Sequence, residues 1–250
     1  MKSKRIISNP ISKANEVRSQ YNYEISAKVN LFQIIDNMNI RYRECFLGDK
    51  IMGACKAEGL HRLIAVDPNI EYNGRKRFTI AHELGHLIMH QGRHSCTDDM
   101  MNELKTSNMI ETEANDFASE LLLPHRALQE YLKIEDVSSK LVEKVSKQYE
   151  TSLSAAAVAL IKNCIDEVAI YYHDGERLEW KIRSKELKLT LEDCITCSDI
   201  TRKSMQDGQA TGEVDAEKWF KVNDEDMTCV EDTMYFTHLK KFMTIIRIER

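Results

Sequence analysis

A chain of 250 residues with 42% hydrophobic side chains can bury one large core or two smaller ones, which excludes an extended, disordered polypeptide. Its formal net charge of -5 gives no general attraction to nucleic-acid phosphates. Seven scattered cysteines fit a reducing compartment better than a disulfide framework. Met1 to Pro10 holds no apolar run of signal-peptide length, and the small-apolar stretch Ala155 to Ile161 is too short to span a bilayer, so a cytoplasmic protein without a membrane span is expected.

Glu24 to Met38 reads as an amphipathic helix with Ile25, Val29, Phe32 and Ile35 near one face. Arg75 to His90 predicts a second helix: it lacks proline, Phe78, Ala81, Leu84, Leu87 and Ile88 recur at helical spacing, and Gln91-Gly92 supplies a stop. This helix carries His82-Glu83-Leu84-Gly85-His86. Residues i and i+4 share a face, so both imidazoles can reach one Zn²⁺ at about 2.0 to 2.1 Å. Glu83 then stands beside a water whose pKa the ion lowers from about 15.7 to roughly 7, positioned to accept its proton as the water attacks a carbonyl carbon. Gly85 costs about 1 kcal/mol relative to alanine inside a helix, which predicts a close approach to the backbone there. His90 climbs a further turn of about 5.4 Å and cannot share the same ion. It is expected to pack or to orient a ligand, and His94 to lie beyond the helix in the Gly92 loop.

A catalytic zinc keeps three protein ligands and one open position, so a third donor is required. Met109 to Leu123 predicts a helix ended by Pro124, with an apolar stripe of Ile110, Ala114, Phe117, Ala118 and Leu121. Glu111, Glu113 and Glu120 compete on it. Glu113 precedes Phe117 by one turn and Leu121 by two, so it is the expected ligand. Glu111 lies about 200° around the helix from Glu113, and with Asn108 it resembles a capping box. Asp116 is a candidate for orienting a ligand, although a solvated acid is the simpler reading.

Segments around Arg126 to Leu132, Ser138 to Tyr149 and Ser152 to Asn163 read as helices, the last two joined in the manner of a helix-turn-helix. A base-reading helix needs Arg, Lys, Asn or Gln amid positive charge, whereas Ser152 to Asn163 is mostly small and apolar. Core packing is expected there rather than DNA binding. From Asp166 the pattern alternates. Val168 to Tyr172 and Arg177 to Ile182 flank Asp174-Gly175, a hairpin turn signal. Gln206 to Asp215 reads as a loop, and Met234 to Leu239 and Phe242 to Ile248 as strands. The pair Cys194 and Cys197 has no second pair at zinc-ribbon spacing, so two ordinary thiols are expected. Cys45 merits attention because peptide deformylases recruit an upstream cysteine as a third ligand, but their companion motifs are absent.

Arg77 to His86, His90, and Glu113-Ala114-Asn115 followed by Phe117-Ala118, Leu121-Leu122 and Pro124 together resemble the ImmA/IrrE family of metallopeptidases. The resemblance extends more loosely from about Val29 to Ile161. It implies His82, His86 and Glu113 as metal ligands, Glu83 as catalytic base, and Gly59 to Val66 as an edge strand preceding the motif helix. It also implies a transcriptional repressor as substrate. Many relatives begin with a DNA-binding helix-turn-helix, for which there is no room before the catalytic region here, so self-contained repression is not expected.

The fold class that follows is α+β: a mainly helical, zincin-like metallopeptidase domain with a small sheet over residues 1–165, then a small β-rich C-terminal domain over 166–250. The expected function is a zinc-dependent endopeptidase cutting one protein, a helix-turn-helix repressor, with Zn²⁺ as its only cofactor. The rival is a metal-binding regulatory protein that acts by partner or DNA binding without proteolysis. His61, Tyr72, His90 and Arg93 are near enough in sequence to be considered as transition-state donors, and sequence alone does not choose among them.

Overall fold

The computed structural model describes residues 9–70, 73–90, 93–97, 109–195, 197–222 and 226–248. It is α+β, and its contacts divide into two compact units, one of Met1–Ala127 with Val145–Ala155 and one of Leu128–Lys144 with Ala156–Arg250. This is not a single division at residue 165. Segment 128–144 is built with the C-terminal sheet: Asp232 accepts hydrogen bonds from the Ser139 backbone N–H at 2.8 Å and from its hydroxyl at 2.7 Å, and Arg247 donates to the Val137 carbonyl. No helix among the described residues is long and apolar enough to cross a membrane.

The first unit opens with α1 (Pro10–Gln20), which sequence periodicity did not mark. Asn9 caps it by accepting from the Ile11 and Ser12 N–H groups, and Pro10 occupies the first turn, where a missing donor costs little. The helix expected over 24–38 is shorter: α2 spans Leu31–Asn37, capped by Asn30. The physical reason is Arg18. Its buried guanidinium donates to the carbonyls of Glu24, Ile25 and Ala27, which holds residues 24–27 as a turn instead of a helix.

A four-stranded sheet follows in the order β1 (Ile40–Glu44), β3 (His61–Val66), β2 (Ile51–Glu58), β4 (Arg93–Thr97). β1 runs parallel to β3, while β2 is antiparallel to β3 and β4. The strand expected at the sheet edge before the motif helix is therefore interior, hydrogen-bonded on both sides. Pairing aligns Tyr42, Ile64, Cys55 and His94 on one row and Arg41, Leu63 and Lys56 on the adjacent row. Side chains alternate between faces, so Ile64 and Cys55 are buried while Arg41 is exposed. Two longer helices, α3 (Asn73–Met89) and α4 (Met109–Leu122), pack on each other. They approach closely at Gly85: a Cβ there would stand 3.0 Å from the Phe117 ring.

After α5 (His125–Leu132), helices α6 (Ser139–Tyr149) and α7 (Leu153–Asn163) flank Glu150, which takes φ 50°. Leu141, Val142, Val145, Ala156, Ala157, Leu160 and Ile161 are all buried, so this pair packs into the protein through its apolar residues.

The second unit carries a five-stranded antiparallel sheet in the order β6 (Leu178–Arg183), β5 (Val168–His173), β9 (Lys241–Arg247), β8 (Thr228–Phe236), β7 (Gln209–Asp215). The expected hairpin forms, with Gly175 at φ 100° and the Asp174 carboxylate accepting from the Glu176 and Arg177 N–H groups. The loop expected over 206–215 is instead the last turn of a helix followed by β7. That helix, α8 (Asp199–Asp207), is capped by Ser198 and stopped by Gly208 at φ 79°, a start and stop pair present in the sequence and not used. Trp219, Phe220, Tyr171, Leu187 and Ile246 form the core on one face of the sheet.

His173 is fully buried in this sheet. Its Nδ1 accepts from the Gly175 N–H at 3.1 Å and its Nε2 donates to Thr244 Oγ1 at 3.1 Å, so both nitrogens suit the neutral ring. Burial pushes its pKa down to about 4. An unfolded chain takes up this proton near pH 6.5, so stability is full above that pH and falls as the pH drops toward 4. Denaturant unfolding of this unit is expected to lose up to about 3 kcal/mol across that window. The slope should flatten in His173→Gln.

Candidate metal centre

The centre is assembled from α3, α4 and β4. His82, Glu83 and His86 lie on the buried side of α3, as their four-residue spacing requires, and each is fully buried. The His82 and His86 Nε2 atoms are 3.0 Å apart. Glu111 Oε2, from the first turn of α4, lies 3.2 Å from His82 Nε2 and 3.4 Å from His86 Nε2. Cys96 Sγ, from β4, lies 3.2 Å and 3.4 Å from the same two nitrogens. These four buried donors form the one cluster among the described residues that could hold a metal ion.

The donors fit a small tetrahedral cation. Ligands set tetrahedrally at about 2.0 to 2.1 Å for nitrogen or oxygen and about 2.3 Å for sulfur stand roughly 3.3 to 3.6 Å from one another. The five separations given above run from 3.0 to 3.4 Å. Two imidazoles, a carboxylate and a thiol are also donor types that zinc accepts.

Glu113 is not among these donors. Its Oε2 accepts from His90 Nε2 at 2.8 Å, and His90 Nδ1 is 2.9 Å from His86 Nδ1. With His90 protonated on Nε2, its Nδ1 accepts from His86 Nδ1–H, which leaves the His86 Nε2 lone pair facing the cluster. His82 is oriented similarly, its Nδ1 lying 2.9 Å from Asn115 Oδ1. Glu111, expected to cap the helix, thus stands at the cluster, and Glu113, the expected ligand, stands behind His86 instead. The stripe read from the sequence stopped at Leu121; including the buried Leu122 and weighting Ala114 and Ala118 moves its centre toward Glu111 and leaves Glu113 at the margin. Glu120 is used elsewhere, accepting from Asn15, the His125 backbone and its ring. Asn108, the expected capping partner of Glu111, lies outside the described residues.

Cys96 was not singled out from the sequence. The signal available was a cysteine ten residues beyond His86, past the Gln91-Gly92 stop, where a returning strand could carry it back beside the helix. His94, expected in a loop, is on that strand, its ring stacked on His86 at 4.4 Å between centroids. Cys45 is exposed and outside the cluster, as are Cys194 and the half-buried Cys197. Of the possible transition-state donors, His61 is exposed on the sheet and His90 belongs to the Glu113 relay; Tyr72 and the Arg93 side chain lie outside the described residues.

The electrostatics follow from burial. Glu83 is pushed up to about 7 because it is desolvated, an effect that nearby His82 only partly opposes. Neither of its oxygens has a well-formed hydrogen bond among the described residues, although the thiols of Cys55 and Cys96 are close enough to interact with it. Burial lowers His86 to about 4 against the pull of Glu111. Burial alone would raise Glu111, but hydrogen bonds from His82 and His86 together hold it well below the usual carboxylate range. The Cys96 thiol is pushed up by burial and by the neighbouring Glu83.

Residues 36–160 match the IrrE N-terminal-like domain family, Peptidase_M78. The chain is 31% identical over 108 residues to immunity region protein 2 of Bacillus phage phi105, a match covering 42% of this chain and 66% of that protein, just under two thirds of its length. In fold it is similar to a Mycobacterium tuberculosis transcriptional regulator, with a TM-score of 0.60 across 97% of this chain and 77% of that one at 10% identity.

The close packing here is open to test at two glycines. A Cβ at Gly53 would stand 2.6 Å from Glu83 Oε1 and 2.6 Å from Thr79 Cγ2. Gly53→Ala should therefore cost about 1 to 3 kcal/mol in thermal or denaturant unfolding. Gly85→Ala should be nearly neutral, because a helix-propensity gain of about 1 kcal/mol offsets the small shift demanded of Phe117.

Proposed function

The chain belongs to the IrrE N-terminal-like domain family of peptidases, Peptidase_M78, and on that premise we propose that it is a zinc-dependent endopeptidase of the cytoplasm. Its proposed substrate is a specific protein, a helix-turn-helix transcriptional repressor. The observation that carries the peptidase reading is Glu83: a fully buried carboxyl without a well-formed hydrogen bond, beside two imidazoles and an acid at ligand spacing.

His82, His86 and Glu111 would hold the metal, with Glu111 taking the place that sequence reasoning gave to Glu113. A bound zinc supplies Lewis acidity toward a peptide carbonyl and a water that ionises near neutral pH. The remaining work falls to the chain's own groups. Glu83, buried beside the donors, would serve both as acceptor when the nucleophile forms and as donor to the departing amine nitrogen. Asn115 fixes the His82 ring, and the Glu113–His90 pair fixes the His86 ring, so that each presents a lone pair inward.

The phage immunity-region relative supports a regulatory substrate for this chain. The net charge of -5 and the burial of Ala156, Ala157, Leu160 and Ile161 on α7 argue against DNA as a direct partner. One observation favours the rival reading of a metal-binding regulator without proteolysis: a Cys, His, His, Glu set can also satisfy a structural zinc.

Glu83→Gln separates the two. On the peptidase reading it keeps its zinc and fold but cuts a helix-turn-helix repressor encoded beside it at least about 100-fold more slowly, scored by fragment masses. Undiminished regulatory activity in that variant overturns the reading. The ligand assignment is checked by zinc stoichiometry: Glu111→Gln should lose the metal, and Glu113→Gln should keep a full complement with an affinity weakened about 10- to 100-fold.

A further inference from the structure

We propose that Cys96 is a fourth ligand of the metal, so that the resting centre is closed and a water or substrate carbonyl enters only when the thiolate leaves. The inference rests on the metal reading above, and it concerns the one position that a catalytic site otherwise keeps open.

Three observations support it. Sγ completes the donor set at 3.2 and 3.4 Å from the two imidazole nitrogens, the same spacing that Glu111 shows, so sulfur stands at a vertex rather than beyond the ring of ligands. The sheet leaves room for it there. β4 pairs with β2 with Ile51 opposite Thr97 and Gly53 opposite Cys96, leaving Met52 as an extra residue on β2. Such a bulge bends the strand that carries it, here β2 beside Gly53, and the residue across the ladder from Cys96 is that glycine, which has no side chain to compete for the space. The third is Glu83: fully buried, without a well-formed hydrogen bond and close enough to Cys96 to interact with it, so that a metal-bound sulfur would occupy the space beside this carboxyl.

Ligand exchange balances without an oxidant. The Sγ–H proton passes to solvent water as sulfur binds the cation, and water returns a proton to the thiolate when it departs, with no change of oxidation state. β4 is the edge strand of its sheet, paired among the described residues with β2 on one side, so its displacement breaks one ladder.

The test uses the full-length protein loaded with Co²⁺ in place of zinc. The wild type should show a near-ultraviolet sulfur-to-cobalt charge-transfer band, lost in Cys96→Ser and Cys96→Ala. Zinc affinity should fall at least about tenfold in Cys96→Ala, the least expected even for an outer-shell loss. Acetohydroxamate, a probe that needs open coordination positions, should bind the Cys96→Ala cobalt protein at least about tenfold more tightly than the wild type, because it no longer competes with sulfur; RT ln 10 at that ratio is about 1.4 kcal/mol. A wild-type spectrum without the sulfur band, with zinc and hydroxamate affinities unchanged in Cys96→Ala, overturns the inference while leaving the three-ligand centre intact. Retention of full zinc by His82→Ala and Glu111→Ala overturns the underlying metal reading instead.

Discussion

Five polar side chains, His82, Glu83, His86, Cys96 and Glu111, are buried together, and the first unit is arranged around that fact. Burying such groups without compensation costs several kcal/mol, and more for a charge. Each ring nitrogen and the Glu111 carboxylate find partners inside the cluster or in the layer behind it, while the Glu83 oxygens do not. The fold accommodates the cluster with small residues where bulk would intrude. Gly53 opens room for Glu83, and Gly85 lets Phe117 seat α4 close enough for Glu111 to reach both histidines.

The layer behind the donors is continuous. Glu113 and His90 align His86, and Asn115 aligns His82, so α4 contributes both a donor and groups that orient other donors. Three acidic or amide residues within five positions thus do different work according to their angle around the helix axis. Glu111 points at the cluster, while Glu113 and Asn115 approach it from behind the rings.

Local spacing was readable where one helix turn decided the matter. His82, Glu83 and His86 share the buried side of α3 because a single helix fixes their geometry, and Gly85 marked a close approach that Phe117 fills. The choice between Glu111 and Glu113 depended on where the centre of a stripe lay, and one omitted residue, Leu122, moved it. Cys96 depended on a strand returning beside the helix, opposite a glycine on the neighbouring strand, and no periodicity encodes that. The same holds in the second unit. The Asp174-Gly175 hairpin was legible because its turn chemistry is local, whereas β7 lacks a clean alternation, its Thr211, Gly212 and Glu213 giving it the polarity of a loop. Residues 24–27 illustrate the converse: their helical pattern is genuine, but the buried Arg18 just upstream takes their carbonyls.

That arginine has a wider reach. Arg18 also donates to the Leu121 carbonyl at 2.7 Å, and Asn15 donates to Glu120, so α1 closes the far end of the helix whose first turn carries Glu111. The family match starts at residue 36, well after α1. The region that the family match covers is therefore smaller than the unit that holds its shape. A fragment cut at the homology boundary would keep all five clustered side chains and lose the clamp on one of the helices that carry them, so homology limits and folding limits differ in this chain.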